Sequence, residues 1–351
     1  MHSIAVAGHI CLDIAPLLSD QARIDPGSLV EVGPLTVTLG GSVANTGGAL
    51  TSLGMNVFPY ATIGDDELGR LLTEKLTEEG FSAPQLSVSP RLATSYSLVI
   101  EKEGVDRTFW HHTGANAEFT GAAVDSAQHP LLHIGYPPLL PGLLENNGDT
   151  LRHLFARARA AGVTTSLDLA VVDPDSPVGS LDWEAILHSI FGQTDIATPS
   201  LDDLTSALGI YQEYSPEGVE ALAEQLITQG VAIVAISAGQ HGLHLRTASE
   251  KRLREGGAVL AALPDSWADR SITVAPLPVD HPVTTNGAGD ASTAGLLFGL
   301  SRGATPEQAA ELAVTCSAVA MNAARPTPQA VSQLSPALAS VFYDQGRKER
   351  Q

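Results

Sequence analysis

Short apolar runs alternate with longer stretches of helical spacing along most of this chain, and that rhythm restricts the fold more than any other feature. Residues 4–7 read as a strand stopped at Gly8, residues 40–53 as a small-residue helix stopped at Gly54, and residues 57–63 as the next strand. Residues 67–78 put Leu68, Leu71, Leu72 and Leu76 on one helical face, with Gly80 as the stop. Further strands are expected at 131–134, 163–169 and 231–237. Helices are expected at 150–161 and from Ser215, with Pro216 in its first turn. Strand and helix alternating at this pitch predict an α/β fold with a mostly parallel sheet and helices on both faces. Such a sheet binds ligands beyond the carboxyl ends of its strands.

Two segments break the rhythm. Residues 28–39 carry the alternating run Thr36-Val37-Thr38-Leu39. Residues 94–112 carry Tyr96, Leu98 and Ile100, then Gly104, then Arg107-Thr108-Phe109-Trp110. Both read as antiparallel strands, the second as a hairpin, and together they suggest a small β-sheet lid. The expected division is a core of 1–14, 40–91 and 119–343, a lid of 15–39 and 92–118, and a frayed polar tail at 344–351.

The side-chain inventory narrows the function classes. With 44% hydrophobic but only 5% aromatic residues, the core should be built from Ala, Val, Leu and Ile. A formal net charge of −20 argues against nucleic acid or an anionic membrane as the main partner. It leaves room for a phosphorylated ligand held by backbone amides, a helix N-terminus and Mg²⁺. Cys11 and Cys316 are the only cysteines, too few for a disulfide framework or a cysteine zinc site, which fits a reducing, cytoplasmic setting. No run of about eighteen apolar residues predicts a membrane span, and the first residues lack the basic stretch of a signal peptide. The pair His111-His112 shows no metal-ligand spacing; adjacent strand residues point to opposite faces, so either one of the two turns into the lid to touch substrate or both are surface histidines, the second reading being favoured. Phe109 and Trp110 suit either an acceptor cover or a subunit contact, and Asp168 either the cleft or a structural cap.

The most informative stretch is Thr284-Thr285-Asn286-Gly287-Ala288-Gly289-Asp290, which opens a helix of almost entirely small or apolar residues. Free N–H groups and the positive end of the helix dipole suit a phosphoryl group gaining negative charge. Glycine lets the backbone approach without a Cβ in the way. A carboxylate in that first turn is placed to take a proton from an attacking hydroxyl.

This motif resembles the C-terminal signature of the ribokinase-like (PfkB-type) carbohydrate kinases. The likeness extends to Gly40-Gly41-Ser42-Val43-Ala44-Asn45, to Ile63-Gly64-Asp65-Asp66-Glu67-Leu68-Gly69, to Asp13, to Gly114-Ala115-Asn116 and to Ser237-Ala238-Gly239-Gln240-His241-Gly242. These follow in consistent order over residues 4–325. The resemblance implies a ribokinase-like fold and transfer of the γ-phosphoryl of ATP, with Mg²⁺, to a hydroxyl of a small sugar. Asp290 would be the base, and the amides of Gly287, Ala288 and Gly289 the anion hole. Asp13, Gly40, Gly41 and Asn45 would bind the acceptor, and Ser237, Gly239 and Gly242 the nucleotide. It further implies a homodimer paired through the lid.

The chain departs from the family pattern in places. Thr284 stands where an aspartate is common, and Ala324-Arg325-Pro326-Thr327 replaces a glycine-containing cation loop, which speaks against monovalent-cation dependence. The Asn-x-x-Glu pattern that supports Mg²⁺ through water appears as Ser200-Leu201-Asp202-Asp203. Asp203 is the expected support there, and Ser200 an N-cap. Cys11, and the lack of an acidic residue near Gly135-Tyr136, count against ribokinase itself. The Thr-Asn-Gly-Ala-Gly-Asp wording keeps a nucleoside (adenosine-like) acceptor open, and the departures keep open a non-catalytic ligand sensor.

Overall fold

The computed structural model describes residues 3–18, 25–81, 84–100, 108–210, 213–279 and 282–343. The expected hairpin turn with Gly104 and Arg107, and the polar tail at 344–351, lie outside these residues. Among the described residues the thirteen strands are β1 Ser3–Gly8, β2 Cys11–Pro16, β3 Leu35–Gly40, β4 Asn56–Gly64, β5 Gln85–Ser89, β6 Tyr96–Ile100, β7 Thr108–His112, β8 Leu131–Gly135, β9 Thr164–Asp168, β10 Ile196–Ala197, β11 Ile233–Ser237, β12 Leu243–Thr247 and β13 Ser271–Val274. Nine form one sheet in the order β13-β12-β11-β10-β9-β8-β1-β4-β5; the other four form a second sheet, β3-β2-β6-β7. In the large sheet every neighbouring pair from β11 to β5 is parallel, and β12 and β13 close one edge antiparallel.

Helices cover both faces because the strands alternate. Ile4 and Val6 of β1 enter one apolar cluster, and Ala5 and Ala7 enter the other. The first cluster receives the helices Ser42–Ser52, Glu67–Glu78, Ala288–Ser301 and Pro306–Met321; the second receives Glu145–Ala160, Trp183–Phe191, Leu201–Leu208 and Pro216–Thr228. The Ala288–Ser301 helix is buried on every side from Asp290 to Leu300. It lies close against Pro306–Met321, where a Cβ on Gly295 would come within 2.6 Å of the Leu312 carbonyl. Small residues there bring two helices together under the sheet's ligand edge.

Two expectations for the lid change. Residues 28–34 form no strand: β3 begins at Leu35, after Pro34, which has no N–H for a ladder. The lid also starts earlier than residue 15, because the backbone from Cys11 to Pro16 pairs with Leu35–Gly40. Asp13 is therefore a residue of the small sheet. The β2–β3 and β6–β7 pairs are antiparallel, but they join through a parallel β2–β6 pairing.

The chain crosses between the two sheets at four places, and the crossings are bonded to one another. Val43 N donates to His9 O (3.1 Å), Leu12 N to Ser95 O (3.2 Å) and Ala115 N to Ala93 O (2.8 Å). Asn116, fully buried, donates its amide to Ile10 O at 2.8 Å and accepts from Ile10 N at 3.4 Å. Asp66 caps the Glu67–Glu78 helix and also accepts from Thr94 N and Oγ1, at 2.8 and 2.6 Å.

Away from the lid, Asp195 ties β9 to β10. Its carboxylate, with no exposed side-chain surface, accepts from Thr165 N (2.9 Å), Thr165 Oγ1 (3.0 Å) and Arg252 Nη2 (2.7 Å), with Arg159 Nε at 3.6 Å. Removing one partner of such a pair strands the other charge in the interior. Asp195→Ala should cost about 3–5 kcal/mol of unfolding free energy in a urea titration.

Candidate active site

The carboxyl ends of β1, β8, β9 and β11 deliver Gly8-His9, Tyr136, Asp168 and Ser237 to one edge of the large sheet. There the lid and the start of the Ala288–Ser301 helix enclose a cleft of about 740 Å³. Asp290, 2% exposed, is its most constrained carboxylate. Thr46 Oγ1 donates to Asp290 Oδ1 and the Tyr136 hydroxyl to Oδ2, both at 2.7 Å, and the Asn45 side chain bonds it as well. Burial raises the Asp290 pKa; the bonds from Thr46, Tyr136 and Asn45, and the charge of Arg325, pull it back down. Tyr136 stays a protonated donor, because burial and then the charges of Asp290 and Asp168 push its own pKa well up.

Ahead of Asp290, Gly287 takes φ +72°, and the helix begins at Ala288. A Cβ placed on Gly289 would meet nothing within 4 Å, and Gly289 lines the cleft, so the backbone is bare there. The glycine pair at 40 and 41 also has a local cause. A Cβ on Gly40 would fall 2.5 Å from Asp13 Oδ2, and one on Gly41 2.6 Å from His9 Nδ1. Each glycine makes room for a side chain of the cleft.

Asp13 and Asn45 both line the cleft, Asp13 accepting from Cys11 Sγ at 3.5 Å. Ser237 lines it too, whereas Gly239 and Gly242 shape the turn from β11 to β12 just beyond. Gly242 has φ +89°, and a Cβ there would meet the Val274 carbonyl at 2.1 Å. Beside that turn His241 stacks on Tyr214 with ring centroids 3.7 Å apart. Ser200 is an N-cap: its hydroxyl accepts from Asp203 N, and Asp203 Oδ2 accepts from Ser200 N, closing a capping box.

Asp168 and Asp203 line the same cleft as Asp290. Burial, then the Asp203 and Asp290 charges, raises the Asp168 pKa well above the carboxylate range; burial also raises that of Asp203. Three carboxylates that oppose one another's ionisation make a donor set that welcomes a hydrated divalent cation. Among the described residues no group of three or more His, Cys, Asp or Glu is disposed to bind a metal directly. At residues 324–327 the Arg325 guanidinium pairs with Glu79 and lies over Gly48, where a Cβ would be 2.1 Å from Nη1.

Sequence reasoning missed Thr46, Tyr136 and His9, and for His111-His112 it favoured the surface over one ring turned inward. His111 instead faces the cleft: β6–β7 register puts it opposite Ser97, whose hydroxyl lies 3.1 Å from His111 Nδ1. His112, one residue on, is exposed. Phe109 shares the inward face, while Trp110 is about half exposed on the other. The signal for His9 and Tyr136 was their place just after the strand-end glycines Gly8 and Gly135.

The sequence pattern that defines the pfkB family carbohydrate kinases matches residues 1–330. The chain belongs to that family. It is a carbohydrate kinase with the ribokinase-like fold. Among its relatives, a 2-dehydro-3-deoxygluconokinase of Bacillus subtilis (strain 168) is 24% identical over 295 residues, covering 81% of each chain. A fructokinase of Vibrio alginolyticus is 24% identical over 266 residues, 75% of this chain and 76% of the relative. The Arabidopsis thaliana ribokinase solved with ribose and ATP superposes with a TM-score of 0.73 at 17% identity, over 95% of this chain and 99% of that one. A candidate ribokinase II from E. coli, solved with ATP and Mg²⁺, gives 0.70 at 20% identity over 96% and 100%.

The contacts to Asp290 fix the sign of a pH experiment. With Asp290 as the base that the resemblance implies, its ionised form is lost as pH falls through its pKa, and removing a donor to the carboxylate raises that pKa. Tyr136→Phe should move the acidic limb of the kcat/KM profile to higher pH. It should also lower neutral-pH kcat/KM by about tenfold, the worth of a hydrogen bond to a charged group.

Proposed function

We propose that this kinase transfers the γ-phosphoryl of ATP to a hydroxyl of a small sugar, with Asp290 as base and the Gly287–Gly289 backbone as anion hole. The observation that carries the reading is a buried carboxylate held by Thr46 and Tyr136 one residue beyond a bare glycine backbone at a helix N-terminus. ATP bound with Mg²⁺ would supply the transferable phosphoryl group and the positive charge that the opposed carboxylates favour, and Asp203 would be the residue that supports the ion through water. The acceptor hydroxyl gives its proton to an Asp290 oxygen as its own oxygen forms the new bond to phosphorus and the bond to the ADP oxygen breaks. The amides of Gly287, Ala288 and Gly289 donate to the oxygens of the moving group. Asp13 and Asn45 orient the acceptor, in contact with Gly40 and Gly41. Ser237 and the Gly239–Gly242 turn hold the nucleotide, and the Arg325 charge makes a monovalent cation dispensable.

The lid closes over the acceptor and keeps water from competing for the phosphoryl group. Its outer side carries the exposed apolar residues Val32, Leu35 and Trp110, which suit pairing with a second copy of the chain. Among the described residues no helix is long and apolar enough to cross a membrane, and both cysteines are buried and unbridged, in keeping with a cytoplasmic enzyme. A nucleoside acceptor is the second reading, supported by the size of the cleft, about 740 Å³.

The test is Mg²⁺- and ATP-dependent ADP release across a panel of sugars and nucleosides. Asp290→Asn should lower turnover by about 10²–10⁴-fold, the usual contribution of a positioned base, while leaving nucleotide binding in place. Turnover that survives in Asp290→Asn would remove the base assignment.

A further inference from the structure

Two histidines in the cleft have no part in the chemistry above. His9, the residue after β1, is 3% exposed, and neither of its ring nitrogens has a hydrogen-bond partner. His111, reaching in from the lid, keeps one nitrogen on Ser97, but its Nε2 is buried and unpartnered. The rings meet across the boundary between core and lid, centroids 5.1 Å apart, and His9 also lies 5.9 Å from the Tyr136 ring. Three ring nitrogens are thus left buried and unbonded in two side chains that line the cleft, His9 Nδ1 lying against Gly41. Each such atom costs about 1–3 kcal/mol, so a ligand that bonds them gains directly.

The chemistry of those nitrogens selects the ligand. Burial, and then His111, hold the His9 pKa well below its ordinary value; burial and then His112 hold that of His111 at about 4. Both rings are therefore neutral at physiological pH. A neutral imidazole offers one N–H and one lone pair. His9, with both nitrogens free, needs an acceptor and a donor together, and a hydroxyl group is both. A carboxylate or phosphate oxygen only accepts, and would leave the lone pair facing negative charge. The surroundings agree. The described lining holds Asp13, Asp168, Asp173, Asp203 and Asp290, and no Lys or Arg.

We propose that His9 and His111 read the acceptor through its hydroxyl groups, and that the acceptor is an uncharged polyhydroxy compound rather than a sugar acid or sugar phosphate. The proposal rests on the reading of this cleft as the kinase site. It separates this enzyme from the acidic acceptor in the name of its Bacillus subtilis relative and sets it with kinases of neutral sugars.

Isothermal titration calorimetry on the wild-type protein with Mg-ADP tests it. D-Fructose, D-ribose and adenosine serve as uncharged probes, and 2-dehydro-3-deoxygluconate and fructose 6-phosphate as anionic ones. At least one uncharged probe should bind. His9→Leu and His111→Phe should each weaken it tenfold or more, with the KM for ATP within twofold of wild type. His9→Leu should melt no lower than wild type, because the nitrogens it removes have no partner in the free protein. Binding by the anionic probes alone, by no uncharged probe, or with affinity unchanged in both variants would overturn the proposal. Turnover of an anionic acceptor alone would sink it and leave the kinase reading standing. Uncharged-probe binding that depends on His9, in a protein that transfers phosphate to nothing, would support it and sink the kinase reading.

Discussion

Parallel strands must all finish at the same edge, and everything in this active site depends on that constraint. Because β1, β8, β9 and β11 run the same way, the residues after them arrive together without any loop having to search for the others. The Ala288–Ser301 helix is brought to the same edge by burial of its small, apolar surface. Its first turn is the one place where an ionisable group, Asp290, interrupts that surface. The site is thus a consequence of sheet direction and helix packing, with few dedicated supports.

Those few supports are hydrogen bonds that work against burial. An isolated buried carboxylate would hold a proton at neutral pH; here Thr46, Tyr136 and Asn45 favour the ionised form. The glycines serve the same end sterically. Gly40 and Gly41 let Asp13 and His9 lie flat against the backbone that leads into the Ser42–Ser52 helix, whose Thr46 in turn bonds Asp290. A larger residue at either position would drive a cleft side chain out of place.

Much of this was legible in the sequence. The period of the apolar runs disclosed the parallel sheet, and the glycine-rich opening of an apolar helix disclosed Asp290, because both are local patterns. The lid's first strand was harder. Only His9 and Ile10 separate β1 from β2, with no turn residue between them, so nothing local marks the passage from one sheet to the other. Thr46 and Tyr136 were silent for a different reason: their partner is 244 or 154 residues away, and only the packing of the Ser42–Ser52 helix on Ala288–Ser301 and the placing of β8 in the sheet bring them to it. The inward turn of His111 and outward turn of His112 follow from the pairing of Ser97 with His111, a register that no single strand reveals.

The four bonded crossings form one narrow neck between the sheets. His9 O, Ile10 and Asn116, and the carbonyls of Ala93 and Ser95, are all spent on holding that neck together. The lid strands also seat on the core through Leu12, Leu39 and Val37, which join the apolar cluster of the Ser42–Ser52 and Glu67–Glu78 helices. His9 stands in the bonded neck itself, while His111 stands on β7 of the lid. A molecule bonded to both, as proposed above, would bridge core and lid, and filling that end of the cleft would then also fasten it.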